Sequence, residues 1–248
     1  MPSLGVVQPA LPVSARLAWW GTAWLRGRVV TDLVLDAVLL DDATHVVAGL
    51  PDVDGSVSLA RALAELRMSG VGSVGLALPE PGDPVGMGGP AGFSAAALEA
   101  GEAVVAGGTG LVPRRVGRAV EWTAYAASPR QLADVGEADR GLRRALQETT
   151  TSLASLDVAR WRPEVADALM NLHHPPTLKP PPGTPERCAD LAGRALLARA
   201  IVDLALEDDG GAVSAAEVSG RRAALQPLAA AARRGLVAAC SPEVWPDA

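Results

Sequence analysis

The chain has one lysine, Lys179, one phenylalanine, one tyrosine and three histidines in 248 residues. A lysine-dependent chemistry, whether a Schiff base or a phosphate grip, therefore has a single position, set among prolines. No Gly-Lys pair occurs, which excludes the phosphate-cradling loop of nucleotide hydrolases. The motif Gly-x-Ser-x-Gly is also missing: Gly72-Ser73-Val74-Gly75 is preceded by valine at position 71. None of the histidines has a recognisable nucleophile partner, so no catalytic residue is assigned. His173, His174, His45 and Cys188 lack zinc spacing, because adjacent histidines do not share a face.

Cysteine is scarce too. Cys188 and Cys240 are expected to be buried and reduced, since a chain of this size does not depend on a disulfide. The net charge of −6 and pI near 5.1 leave no basic stripe for phosphate backbones, so no nucleic-acid partner is expected. No run of about 18 apolar residues is present, which argues against a membrane-spanning helix. The first charge is Arg16, after Pro2, Pro9 and Pro12, unlike a signal peptide, and the expected location is the cytoplasm. Ile201 and Asn171 are likewise single, while Ala, Arg, Gly and Pro abound. This bias follows GC-rich codons and points to a bacterial source.

What is present divides at about residue 127. In the first part, helices are expected from Ser14 to Arg26 and from Thr31 to Leu40. The run THVVAGL, the turn PDVDGS, a helix with Leu59, Ala62, Leu63 and Leu66, and the run VGSVGLALP read as strand–helix–strand. Its length suits a right-handed parallel crossover. Strands follow at Glu102–Ala106, Gly110–Val116 and Ala119–Ala126, the last alternating Val120, Trp122 and Ala124 with polar neighbours. Pro113 suggests that its strand lies at an edge. From Ser128 onward the pattern is helical, with a capping box at Ser128–Gln131, further starts at Thr184 and Ser214, and breaks expected at Pro163 and Pro227. Leu142 and Leu146 begin one apolar stripe, and Val158, Trp161, Val165, Leu169 and Leu172 form another. The proline-rich segment 173–185, including Pro182-Gly-Thr-Pro185, reads as an extended spacer. The fold class is α+β: a mixed sheet with helices in 1–127, packed on an all-helical 128–248, giving two domains.

The glycine-rich segment Pro84–Pro113 contains Gly86-x-Gly88-Gly89-Pro-Ala91, a formal match to the dinucleotide fingerprint. Prolines separate it from its strand, so the match lacks its structural context and no cofactor is specified. Its position matters more. If the strands at 45–48 and 74–78 are parallel neighbours, PDVDGS and Pro79–Gly92 leave the same end of the sheet, where ligands bind in open α/β sheets. Gly86, Gly88 and Gly89 are then candidate ligand contacts. Asp52, Asp54, Glu80 and Asp83 are candidate metal ligands or general bases, although Asp-Gly and Glu-Pro-Gly-Asp are equally the makings of surface turns. Arg114 and Arg115 are candidate anion contacts should their strand adjoin the loop. Trp20 and Trp24 share one helix face and Trp19 points elsewhere, so one ring reaches a surface or interface unless the helix is buried on two sides. The sequence thus favours a non-catalytic protein-interaction or small-ligand-binding protein, with a protein partner, a homo-oligomer or a small-molecule ligand. The alternative is an enzyme with a carboxylate-lined, divalent-metal-dependent site.

Overall fold

The structure is a computed structural model that describes residues 10–128, 130–155, 178–206 and 215–246. The stripe from Val158 to Leu172, the break at Pro163, the pair His173–His174 and the cap at Ser214 lie outside these residues. The chain is α+β. Helices α1 (Val13–Leu25) and α2 (Thr31–Leu39) precede β1 (Thr44–Ala48), β2 (Ser56–Ser58), α3 (Leu59–Met68) and β3 (Gly75–Ala77). Then come α4 (Ala91–Ala100), β4 (Ala103–Ala106), β5 (Thr109–Val116) and β6 (Ala119–Ala126). The described helices of the C-terminal half are α5 (Val135–Ser155), α6 (Glu186–Leu206) and α7 (Ala215–Ala239).

The six strands form one mixed sheet in the order β2-β1-β6-β5-β4-β3. β6 to β3 is an antiparallel meander, and β1 joins it parallel to β6. The parallel pair expected between β1 and β3 does not form. Three strands separate them, and successive antiparallel pairings leave β3 running opposite to β1. β5 is interior, not an edge. Its second half nevertheless outruns β4, whose pairing stops at Leu111, so Pro113 faces only Trp122 of β6 and costs no ladder bond to β4.

Strand alternation places two layers on the sheet. Val104 and Ala106 of β4 face the main core with Leu76, Leu111, Val120 and Trp122, beneath α1, α2 and α3. Ala103 and Val105 face the other way, with Ala77 and Val112, beneath α4. The single phenylalanine, Phe93 of α4, lies directly over Gly110, where any β-carbon would strike its ring. α4 itself occupies part of the segment expected to be loop.

α1 is buried on two sides, which resolves its three tryptophans. Trp19 is fully enclosed and donates its indole N–H to the carbonyl of Ala239 at the end of α7 (3.0 Å). Trp24 is half-buried, donates to Thr31 Oγ1 (3.0 Å) and carries the guanidinium of Arg67 above its ring. Aromatic burial of this kind holds the two halves of the chain on one continuous core.

The outer edge of β3 is closed by side chains. Thr22 Oγ1 accepts from Val74 N (2.9 Å) and donates to Val74 O (3.1 Å). Ser241 Oγ accepts from Leu76 N (3.2 Å), and Arg130 Nη1 donates to Leu76 O (2.7 Å). Hydroxyls and a guanidinium thereby occupy the ladder positions that would otherwise remain open.

Three local expectations are corrected. The helix expected at Ser128 begins at Val135, because Arg130 is committed to the β3 edge and Asp134 supplies the cap, accepting from Glu137 N (2.8 Å). α7 runs through Pro227, which is exposed while Leu225 and Leu228 beside it are fully buried, so packing outweighs the lost backbone bond. The stretch 182–185 is no extended spacer, since Gly183 (φ +86°) turns the chain and Thr184 N donates to Pro181 O (3.2 Å).

Candidate functional site

Beyond β3 the chain reverses at Glu80-Pro81-Gly82-Asp83, where proline sets the first turn residue and Gly82 takes φ +82°. Glu80 and Asp83 exchange backbone hydrogen bonds of 3.0 and 2.9 Å. The returning segment brings Gly86 against β3. A β-carbon there would lie 2.6 Å from Ala77 Cα, and φ is +80°, so only glycine fits.

The turn presents two carboxylates to α7. Arg233 Nη1 contacts Glu80 (2.6 Å), Arg233 Nη2 contacts Asp83 Oδ2 (2.8 Å), and Arg234 Nη2 contacts Asp83 Oδ1 (2.7 Å). Arg233 is buried; Arg234 is half exposed. Both oxygens of Asp83 are thus satisfied by guanidinium groups. Such a carboxylate is a poor cation ligand, because its charge is already compensated.

Next to this cluster is a cleft of about 230 Å³ between residues 83–86, residues 131–133 and α7. Val85, Leu132 and Val237 furnish apolar wall, whereas Asp83, Gln131 and Arg234 furnish polar groups. Arg130 fixes the floor by donating to Leu76 O (2.7 Å) and Gly86 O (2.6 Å) while its other end meets Glu243 (2.8 Å).

The remaining sequence candidates lie elsewhere. Asp52 and Asp54 are exposed in the turn after β1, at the other side of the sheet from Glu80 and Asp83. The four carboxylates therefore share no rim, and among the described residues no group of three or more His, Cys, Asp or Glu could hold a metal. Arg114 and Arg115 sit by the β5–β6 hairpin, whereas Gly88 receives its bond from Ser128, beyond the opposite end of β6. Arg114 pairs across the strands with Glu121, and Arg115 pairs with Asp42 (2.6 Å).

Asp42 anchors a second polar cluster. Its Oδ2 meets His45 Nε2 (3.1 Å), and Trp122 Nε1 donates to His45 Nδ1 (3.3 Å). An indole N–H only donates, so Nδ1 accepts and Nε2 carries the proton. Burial pushes the His45 pKa down, outweighing the upward pull of Asp42, while Arg16 and Arg115 push it down further. Burial would raise the Asp42 pKa, but hydrogen bonds from His45 and Arg115 and the charge of Arg115 hold it below the ordinary range. Neither imidazole nitrogen is free for proton transfer. Both cysteines are buried thiols, Cys188 pushed up by burial to about 11 and Cys240 pushed higher than its ordinary value by burial and by Cys188. Neither presents a thiolate at neutral pH.

Sequence reasoning missed Arg130, Gln131, Arg233 and Arg234. The pair Arg233-Arg234 in an alanine-rich helix was the one available signal, because an isolated charge pair on an apolar helix has to find partners.

Two family models cover most of the chain: the Rv1486c-like protein N-terminal domain over residues 14–138 and the Rv1486c-like protein C-terminal domain over 136–237. The uncharacterized protein Rv1486c of Mycobacterium tuberculosis H37Rv is 30% identical over 94% of this chain and 99% of its own length. The uncharacterized protein MT1533 of strain CDC 1551 matches to the same extent, 30% over 94% and 99%. No solved structure matches. With both domain models placed in order and a relative aligned nearly end to end, the chain belongs to the Rv1486c-like protein family.

Proposed function

We propose that the protein is a non-catalytic binding protein that holds a small ligand in the cleft beside the Glu80–Asp83 turn. The observation carrying this reading is the cleft itself: apolar walls meet a half-exposed guanidinium with one nitrogen engaged by Asp83. Support comes also from the groups that would run a reaction. His45 has both nitrogens occupied, the thiols are buried, and Glu80 and Asp83 are paired with arginines. Screening small organic acids, amines and amides by thermal shift tests the proposal. At about 100 times Kd an occupant adds about 2.7 kcal/mol, a shift of several degrees. Ala133→Leu, which fills the cleft from its side, should abolish the shift without unfolding the chain. A screen without a shift, or shifts that survive Ala133→Leu, would overturn it.

A second reading, self-association, is favoured by Leu33 of α2 and by Val30 and Leu40 at its two ends, all three of which are exposed. With a second copy as the occupant, light scattering should give a dimer for the wild type and a monomer for Leu33→Glu. A monomer in both cases removes this reading.

A further inference from the structure

The cleft's polar groups are unequal, and their inequality restricts what can be held there. Arg233 is buried and has both terminal nitrogens committed, Nη1 on Glu80 and Nη2 on Asp83. Asp83 has both oxygens taken, so an incoming amine would have to displace a guanidinium to reach it. Arg234 commits only Nη2 and is half exposed, which leaves its Nη1 able to donate. Among the described residues that line the cleft, it is the charged group with capacity to spare.

One guanidinium edge matches one carboxylate in charge and in planar geometry. A dianionic phosphate would face the same single cation with Asp83 alongside, and the like charge opposes it. Val85, Leu132 and Val237 can cover hydrocarbon, and the remaining polar side chain, Gln131, is a neutral amide that offers no second charge to a ligand. The volume of about 230 Å³ is below the roughly 300 Å³ at which drug-sized pockets begin, so the body must be short. We infer that the occupant is a small aliphatic monocarboxylate, its carboxylate on the free edge of Arg234 and its hydrocarbon against Val85, Leu132 and Val237. This rests on the cleft being a binding site, as proposed above.

The test is calorimetric titration of the full chain with isovalerate, isovaleramide and inorganic phosphate, repeated on Arg234→Lys and Ala133→Leu. Isovalerate should bind, and the neutral amide and phosphate should bind at least roughly tenfold more weakly. Arg234→Lys keeps the charge and loses the fork, so isovalerate affinity should fall about tenfold with the melting temperature unchanged. Equal binding of acid and amide, stronger binding of phosphate, or indifference to Arg234→Lys would overturn the assignment of ligand class while leaving the cleft as a binding site. Binding of no probe overturns the monocarboxylate assignment, and the wider thermal-shift screen then decides separately whether the cleft binds anything.

Discussion

Arg130→Ala is expected to destabilise the protein by about 2–4 kcal/mol, from lost hydrogen bonds to buried carbonyls and the lost packing of an enclosed side chain. The side chain is almost wholly enclosed and spans three segments, from Leu76 O and Gly86 O to Ser241 and Glu243. Little of the loss comes from the ion pair, because Glu243 is partly exposed and water screens it. Most comes from the Gly86 carbonyl stranded without a donor, at roughly 1–3 kcal/mol, and from Leu76 O left with only the longer bond from Ser241 Oγ (3.5 Å). Lysine should not rescue the variant, since one ammonium cannot copy the fork that reaches both carbonyls and Ser241 together. Urea denaturation measures the effect. A loss below about 1 kcal/mol would mean that Leu76 and Gly86 find other partners, and the edge-closing role would fall.

Asp42→Ala should cost about 1–3 kcal/mol, because it leaves the buried His45 Nε2–H without its acceptor, while the exposed Arg115 guanidinium turns to water. The same cluster sets a pH dependence. The folded His45 pKa lies below its ordinary 6.5, so the unfolded chain binds this proton more readily. Stability from the neutral imidazole is therefore complete above about pH 6.5 and is lost as pH falls through the folded value. Protonation would also set an N–H at Nδ1 against the Trp122 N–H, two donors facing each other. Asp42, whose pKa is also held down, adds loss of the same sign below its ordinary 3.8. Urea midpoints of wild type and His45→Gln between pH 5 and 8 check this. The wild type should weaken toward pH 5 more steeply than the variant, and parallel curves would refute the assignment.

The meander from β4 to β6 was legible because local chemistry specifies it. Gly107 and Gly117 adopt φ +62° and +60° at its two hairpins, and Val120, Trp122 and Ala124 alternate toward the core. The partner of β1 was not legible. Runs as short and apolar as THVVA and GLA look alike to any neighbour, and nothing local favours β6 over β3. α4 hid among glycines since only Phe93 and Ala97 of it are buried, which leaves no apolar stripe to read. β2, three residues long, left no periodicity at all.

The candidate site shows the same division. Of the candidates, Asp83 and Gly86 line the cleft, whereas Glu80, Gly88 and Gly89 do not. The reason given for a site there fails, because the parallel neighbours that were to create the rim lie at different places in the sheet. What builds the cleft is contact over about 150 residues, as between Asp83 and Arg233 (separation 150) or Arg234 (151), and spacing rules do not reach that far. Turn chemistry was the sounder reading of Glu-Pro-Gly-Asp; that it would also receive arginines from α7 required the tertiary structure.

That Ser241 closes a strand laid down at Leu76 bears on how the chain is made. During synthesis the sheet emerges long before the residues that cover its last strand, and at about 5–20 residues per second the wait lasts on the order of ten seconds or more. For that interval Thr22 and Arg130 are already made, and the Leu76 N–H is the ladder position that waits for its acceptor.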